Sequence, residues 1–269
     1  MQPTKRPRYT RSLFIALLAT IAVGVISTFG FGGGRSHSPA NTPDTLNVAI
    51  GYGPMSLYRY ADTLGGFNYE MMRAVGREAS LTVKFHPVSS LSEALARLRE
   101  GAYDVVISDI AMTASQRQSV DFTVPVYTDK LVLVSADSTV TSPLQLAGRK
   151  VWAPEGSPAV ERLRNLEREI GDTIYIEDSH PYTSEQLLLL VANGEVERAV
   201  VNEAVARTLT LQYPSIHIST DISFSQFQAW AVAKGNSSLL ETLDKAIERF
   251  KATPAYETLC EKWIDGAAD

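Results

Sequence analysis

The sequence predicts an α/β fold built on mainly parallel sheets. Short β-branched runs alternate with helical patterns from Leu46 onward, the order that produces parallel strands joined by helical crossovers. Helix starts are marked by capping-box spacing at Ser90–Glu93, Thr183–Gln186 and Ser238–Glu241. The chain has 269 residues, 45% hydrophobic and 20% charged, an ordinary globular composition with length for one large domain or two lobes.

The first segment is different in kind. Lys5, Arg6, Arg8 and Arg11 precede an apolar run from Leu13 to Phe31, so residues 1–31 read as a signal peptide or signal anchor. A spanning helix needs roughly 20 apolar residues, and this run is long enough to remain as an uncleaved anchor in the inner membrane. Cleavage after Gly30 is the alternative, although no clear small-x-small site is present. The basic side would stay cytoplasmic, which puts the remainder in the periplasm. Residues 32–44, rich in Gly, Ser and Pro, read as a flexible linker.

Charge narrows the partners. Five of the 25 Lys and Arg, and none of the 30 Asp and Glu, lie in residues 1–35; the body keeps 20 basic against 30 acidic residues, a net charge of −10. An acidic body argues against nucleic acid. Cys260 is the only cysteine, which excludes an internal disulfide and a lipid-acceptor Cys behind the signal. It is expected as a small apolar residue buried in the last helix.

Along the body, Leu46–Ile50 is a strand, residues 68–79 a helix, and Thr82–Phe85 a second strand. The helix after Ser90 carries Leu91, Ala94, Leu95 and Leu98 at core spacing and stops at Gly101. Val105–Ile107 is the third strand. Strands follow at Lys130–Ser135, Lys150–Ala153, Thr173–Ile176, Ala199–Val201 and Ile216–Ser219. Between them lie a short helical turn at Ser142-Pro143, a helix opened by Ser157-Pro158, the helix after Thr183 and a helix over Glu203–Gln212. Ser225–Ala233 reads as one strand-like run; a long helix is expected from Ser238, and a last one from Pro254.

The stretch from Ser108 to Thr123 is a candidate ligand loop. It follows a buried strand, and ligands of open α/β sheets sit at the carboxyl ends of strands. Thr113 or Ser115 would cap a short helix there. A plain strand–loop–helix connection explains the same pattern. His37, His86, His180 and His217 show no metal-ligand spacing, and neither a nucleophile elbow nor a phosphate-binding glycine loop occurs. No metal or cofactor is expected.

Ordered landmarks now carry a resemblance: Leu46-Asn47-Val48-Ala49, Gly66-Phe67-Asn68-Tyr69-Glu70, Gly101-Ala102-Tyr103-Asp104-Val105-Val106, Thr113 with Val120-Asp121-Phe122-Thr123, Leu146–Val151, Ala231–Gly235 and Tyr256–Trp263. Together they resemble the bacterial extracellular solute-binding proteins of family 3, with a type II periplasmic binding protein fold. Tyr58, Gly171–Ile176, Ser184–Leu187 and Gln228–Val232 resemble more closely the non-catalytic domain of membrane-bound lytic murein transglycosylases of type F. The catalytic domain of those enzymes would follow; the chain stops at Asp269, so it is expected to lack their general acid.

The resemblance implies two lobes, each a mainly parallel sheet flanked by helices, at 45–127 plus 227–269 and at 128–226, with a two-strand hinge that closes on a ligand. Relatives hold an amino acid with an Arg three residues after the family Thr, backbone N–H groups and a carboxylate from the second lobe. Here that Arg position is Gln116, and Arg117 lies one residue later, roughly 100° around a helical turn. The assisting Thr is Ala111, a Gly is Asp109, and the aspartate ending the first strand is Gly51. Glu203, after Asn202, falls at the ammonium-binding carboxylate, and Ser157 at a helix start would serve an anion. Ser108, Tyr52 and Tyr58 complete the candidate ligand set. Each residue also has a plainer role: Glu203 as a first-turn acid, Arg117 as an ion-pair partner of Asp121, the tyrosines as core, Asp109 as a cap.

The expected function is capture or sensing, without catalysis, of a small amino-acid-like ligand, short peptide or muropeptide in the cell envelope, with an ABC permease or a murein enzyme as partner. The alternatives are an amino-acid receptor of an ABC transporter and a dehydratase-like enzyme on the same fold.

Overall fold

The computed structural model describes residues 45–265 apart from 54, 61–62, 109–111, 138 and 180–181. The signal or anchor and the linker expected over 1–44 lie outside the described residues.

Two five-stranded sheets organise the body. The first uses β1 (Thr45–Gly51), β4 (Thr82–Val88), β5 (Val105–Ile107), β6 (Val120–Phe122) and β14 (Ala231–Ala233), in the order β4-β1-β5-β14-β6. The hairpin β2 (Tyr58–Tyr60) and β3 (Thr63–Gly65) stands apart from it. The second sheet uses β8 (Leu131–Ser135), β9 (Lys150–Trp152), β10 (Tyr175–Glu177), β11 (Arg198–Asn202) and β12 (His217–Asp221), in the order β10-β9-β11-β8-β12. Central strands β5, β8 and β11 are buried at every residue, as expected where helices cover both faces.

One strand in each sheet runs against its neighbours. β14 is antiparallel to β5 and β6, and β8 is antiparallel to β11 and β12. Both follow directly on the crossings between sheets. Those crossings are β7 (Tyr127–Asp129) and β13 (Gln226–Gln228), which pair antiparallel with each other. A chain returning beside its outgoing strand necessarily reverses direction.

The helices form where the local signals put them. Helix α1 (Phe67–Glu78) buries Phe67, Met71, Met72 and Val75. In α2 (Leu91–Arg99), the Ser90 hydroxyl accepts from the Glu93 N–H at 3.2 Å. Helix α3 (Pro158–Ile170) has proline at its first position and ends on Gly171 with φ of 74°. In α4 (Ser184–Ala192), Thr183 and Gln186 form the full reciprocal capping box. Helix α5 (Glu203–Thr210) completes the second half; α6 (Ser237–Lys251) and α7 (Pro254–Cys260) return to the first. Cys260 is only half-buried, but it packs against the core.

Two expectations fail on the return path. The run Ser225–Ala233 is two strands, because Ala229 and Trp230 leave the β7 pairing and join the first sheet's core. Trp230 is fully buried: its indole N–H donates to Asn68 Oδ1 at 2.8 Å, and its backbone exchanges hydrogen bonds with Thr123. The Asn68 amide in turn donates to the Met55 carbonyl at 2.8 Å. Helix α6 is capped by Asn236, whose side chain accepts from the Leu239 N–H, rather than by Ser238. Starting at Ser237 turns Leu239, Leu243, Ala246, Ile247 and Phe250 inward together.

Gly66 shows how tight the entry to α1 is. Its φ is 124°, and a Cβ there would stand 2.3 Å from the Ser56 carbonyl oxygen. Gly66→Ala is expected to lose at least about 2 kcal/mol of stability from backbone strain and overlap combined; urea denaturation checks it, and an unchanged midpoint contradicts the packing described.

Candidate ligand-binding cleft

A cleft of about 840 Å³, its open mouth included, lies between the ends of strands from the two sheets. The strand-end rule for α/β sheets puts a ligand here. Its walls come from the ends of β1, β4 and β5 on one side and from the turns after β9 and β11 on the other. The N-termini of α2, α3 and α4 open onto it, so the lining is rich in hydroxyl and backbone N–H groups.

Four of the residues expected from the sequence meet in the cleft: Tyr52, Ser108, Ser157 and Asn202. Tyr52 lines the cavity and is 53% exposed. Ser108 sits against Gly51, where a Cβ would already be 3.2 Å from its hydroxyl oxygen; an aspartate at that strand end would need Ser108 to move. Ser157 departs from the expected cap. Its hydroxyl makes no hydrogen bond to the start of α3, is buried, and finds no partner among the described residues. Asn202 is buried at the cleft floor and donates to Asp129 at 3.2 Å.

The remaining expectations fall elsewhere. Asp109 and Ala111 lie outside the described residues. Tyr58 is in the β2–β3 hairpin and does not line the cleft. Thr113 and Gln116 are also absent from its walls. Thr113 accepts from the Gln116 N–H at 3.3 Å just before a single 3-10 turn over Gln116–Gln118, whose N-cap is Ser115 without a side-chain cap, while Gln116 Oε1 is buried without a partner among the described residues. Arg117 stacks its guanidinium over the Phe122 ring, 5.9 Å from the centroid. The Arg117–Asp121 pair is corrected. Asp121 is taken by Lys234 at 2.7 Å and by the Gly235 N–H at 2.8 Å, and the Lys234 hydrogen bond foremost holds its carboxyl below the usual range.

Glu203 turns away as well. Its carboxylate accepts from Arg207 at 2.8 Å and stands 3.5 Å from Lys130, which is itself bonded to Asp221 at 2.9 Å. It is a first-turn acid in a surface ion network and does not line the cleft.

Sequence reasoning missed the far wall. Glu155, Tyr182, Thr183, Ser184 and Glu185 all line the cleft. Glu185 is in the first turn of α4, half-buried, and burial raises its carboxyl above the usual range. Among the described residues no basic side chain pairs with it. The Thr183 capping box was the available signal: it marked a helix start just beyond a strand end. Among the described lining residues, Glu155 and Glu185 are the only charged ones.

Comparisons agree with the class this geometry defines, a two-lobed binding protein of the type II periplasmic fold. Residues 45–266 match the model of the bacterial extracellular solute-binding proteins, family 3, and the chain belongs to that family. It is 24% identical over 263 residues to an amino-acid-binding protein, AabA, of Dichelobacter nodosus, covering 95% of this chain and 97% of that one. It is 26% identical over 212 residues to membrane-bound lytic murein transglycosylase F of Desulfosudis oleivorans, covering 77% of this chain. The chain spans less than half the length of that relative, 46%. Among solved structures, an ancestral arginine-binding protein bound to arginine superposes with a TM-score of 0.74 at 26% identity, over 83% of this chain and all of that one.

One side-chain hydrogen bond between the halves is seen among the described residues, and a buried carboxylate braces the crossing. Ser115, before the 3-10 turn, donates to Glu161 in α3 at 2.6 Å. At the crossing, the Asp129 carboxylate accepts from the Lys130 and Ala204 N–H groups and from Asn202. Burial dominates these bonds and pushes the Asp129 carboxyl up to about 6.

Ser115→Ala removes this contact between the halves. A loss of about 1 kcal/mol shifts the balance toward separated lobes about fivefold, read as a larger radius of gyration in small-angle scattering of the ligand-free protein; an unchanged radius contradicts a role in closure. Asp129 has a folded value near 6, above its unfolded one. Its contribution is therefore full below about pH 4 and is lost as pH rises through about 6, on the order of 2–3 kcal/mol. Unfolding free energies from pH 4 to 7 are expected to show this fall in the wild type and not in Asp129→Asn; parallel curves contradict it.

Proposed function

We propose that the chain is a non-catalytic cell-envelope binding protein that captures or senses a small amino-acid-like or peptidoglycan-derived ligand by closure of its two lobes. The observation that carries the reading is the cleft between the sheets, with the unsatisfied Ser157 hydroxyl at an open helix start. Lobe one is 45–127 plus 227–269, lobe two is 128–226, and the paired crossings β7 and β13 are the hinge.

The peptidoglycan side of the reading is supported by the transglycosylase F relatives, of which this chain matches less than half. A second reading, an amino-acid receptor of an ABC transporter, is favoured by the near full-length likeness to AabA. The basic residues and apolar run of 1–31 support an inner-membrane tether, which suits a sensor better than a diffusing receptor. A dehydratase-like activity would need a poised acid or base. Glu203, the acid at the position the sequence offers for that role, is engaged by Arg207 and Lys130 and does not line the cleft.

The usual guanidinium for an α-carboxylate is replaced by Gln116, and charged hydrogen bonds of that kind are worth about 1.5–3 kcal/mol. Free neutral amino acids are therefore expected to bind weakly. A thermal-shift screen of the body with amino acids, short peptides and muropeptides checks this: an upward shift with at least one class supports the binding reading, and none with any class overturns it.

A further inference from the structure

We infer that the cleft selects a small amide bearing an ammonium or guanidinium group, an aminoacyl amide or short peptide rather than a free amino acid, and that Glu185 holds the cation. This rests on the binding reading above and names the ligand class of the same site.

The argument is one of charge placement. A free amino acid brings a carboxylate into the cleft, and burying it requires a formal positive partner or very good hydrogen bonding. Among the described residues lining the cleft there is no Lys, Arg or His. The positive groups available are helix starts, each equivalent to roughly half a charge. The start of α3 is the open one, since Ser157 does not cap it and leaves its hydroxyl unbonded. Such a site also accepts a neutral carbonyl oxygen, whose burial needs no full positive partner.

The negative side is unbalanced. Glu185 is half-buried on the cleft wall, and among the described residues no cation pairs with it. It stands at the N-terminal end of α4, whose dipole supports the ionised form even as burial opposes it. Glu155 adds a second acid on the same wall. Tyr52 and Tyr182 also line the cavity, and aromatic faces stabilise ammonium and guanidinium groups. The acid expected for this role at the start of α5 cannot serve without releasing its partners, because Glu203 is engaged by Arg207 and Lys130.

Isothermal titration with matched pairs tests the inference: L-arginine against L-argininamide, and L-lysine against L-lysinamide, with L-glutamine and muropeptides as comparators. Each amide is expected to bind about tenfold or more tightly than its acid, and Glu185→Gln to weaken the amides about tenfold or more. Circular dichroism confirms that the variant is folded. Equal or tighter binding of the free acids overturns the inference and leaves the binding reading standing, as does preference for glutamine or an acidic muropeptide. Loss of amide binding in Glu203→Gln with none in Glu185→Gln returns the role to Glu203. Failure of every ligand to bind overturns both readings.

Discussion

A single chain that builds two sheets must cross between them twice, and each crossing exposes backbone groups that need partners. Here the two crossings satisfy each other. Tyr127–Asp129 and Gln226–Gln228 pair antiparallel, and the strand that follows each one is the reversed strand of its sheet. Side chains finish the accounting. The Asp129 carboxylate ties the outgoing crossing to the start of α5, while Lys251 and Tyr256 donate to the Pro125 and Val126 carbonyls just before it. The C-terminal helices therefore clamp the place where the halves meet.

The cleft follows from that geometry. With both sheets held at one paired crossing, the ends of β1, β4 and β5 face the turns after β9 and β11, and the helices that begin there point their N-termini into the gap. Scaffold and charge then part company. The hydroxyl and N–H lining suits a relative of the amino-acid receptors, but the positive residue expected in the loop from Ser108 onward is replaced. The acids that line the described wall are Glu155 and Glu185.

The ladder of elements was legible from residues alone because its signals are local. The capping box at Thr183, the proline at Pro158 and the β-branched runs of β5, β8 and β11 act over a few residues, and they landed within a residue or two of the observed bounds. Two local signals misled for a tertiary reason. Ser238–Glu241 has capping-box spacing, but Asn236 starts the helix early enough to turn Leu239 inward. The Ser225–Ala233 run looks continuous, but Trp230 is drawn to Asn68, far away in sequence.

Cleft-lining residues were legible only where a strand end or helix start announced them, as at Ser108, Ser157 and Asn202. Those that depend on which partner a charge finds were not. Arg117 and Glu203 stood at plausible ligand positions in the sequence, yet Lys234 takes the acid expected of Arg117, and Lys130 and Arg207 take Glu203. The sequence by itself determined the alternation of elements and the family-wide scaffold, since those rest on local propensity and hydrophobic period. Tertiary structure alone decided which carboxylate faces the cleft, because ion pairing and burial depend on neighbours far apart along the chain.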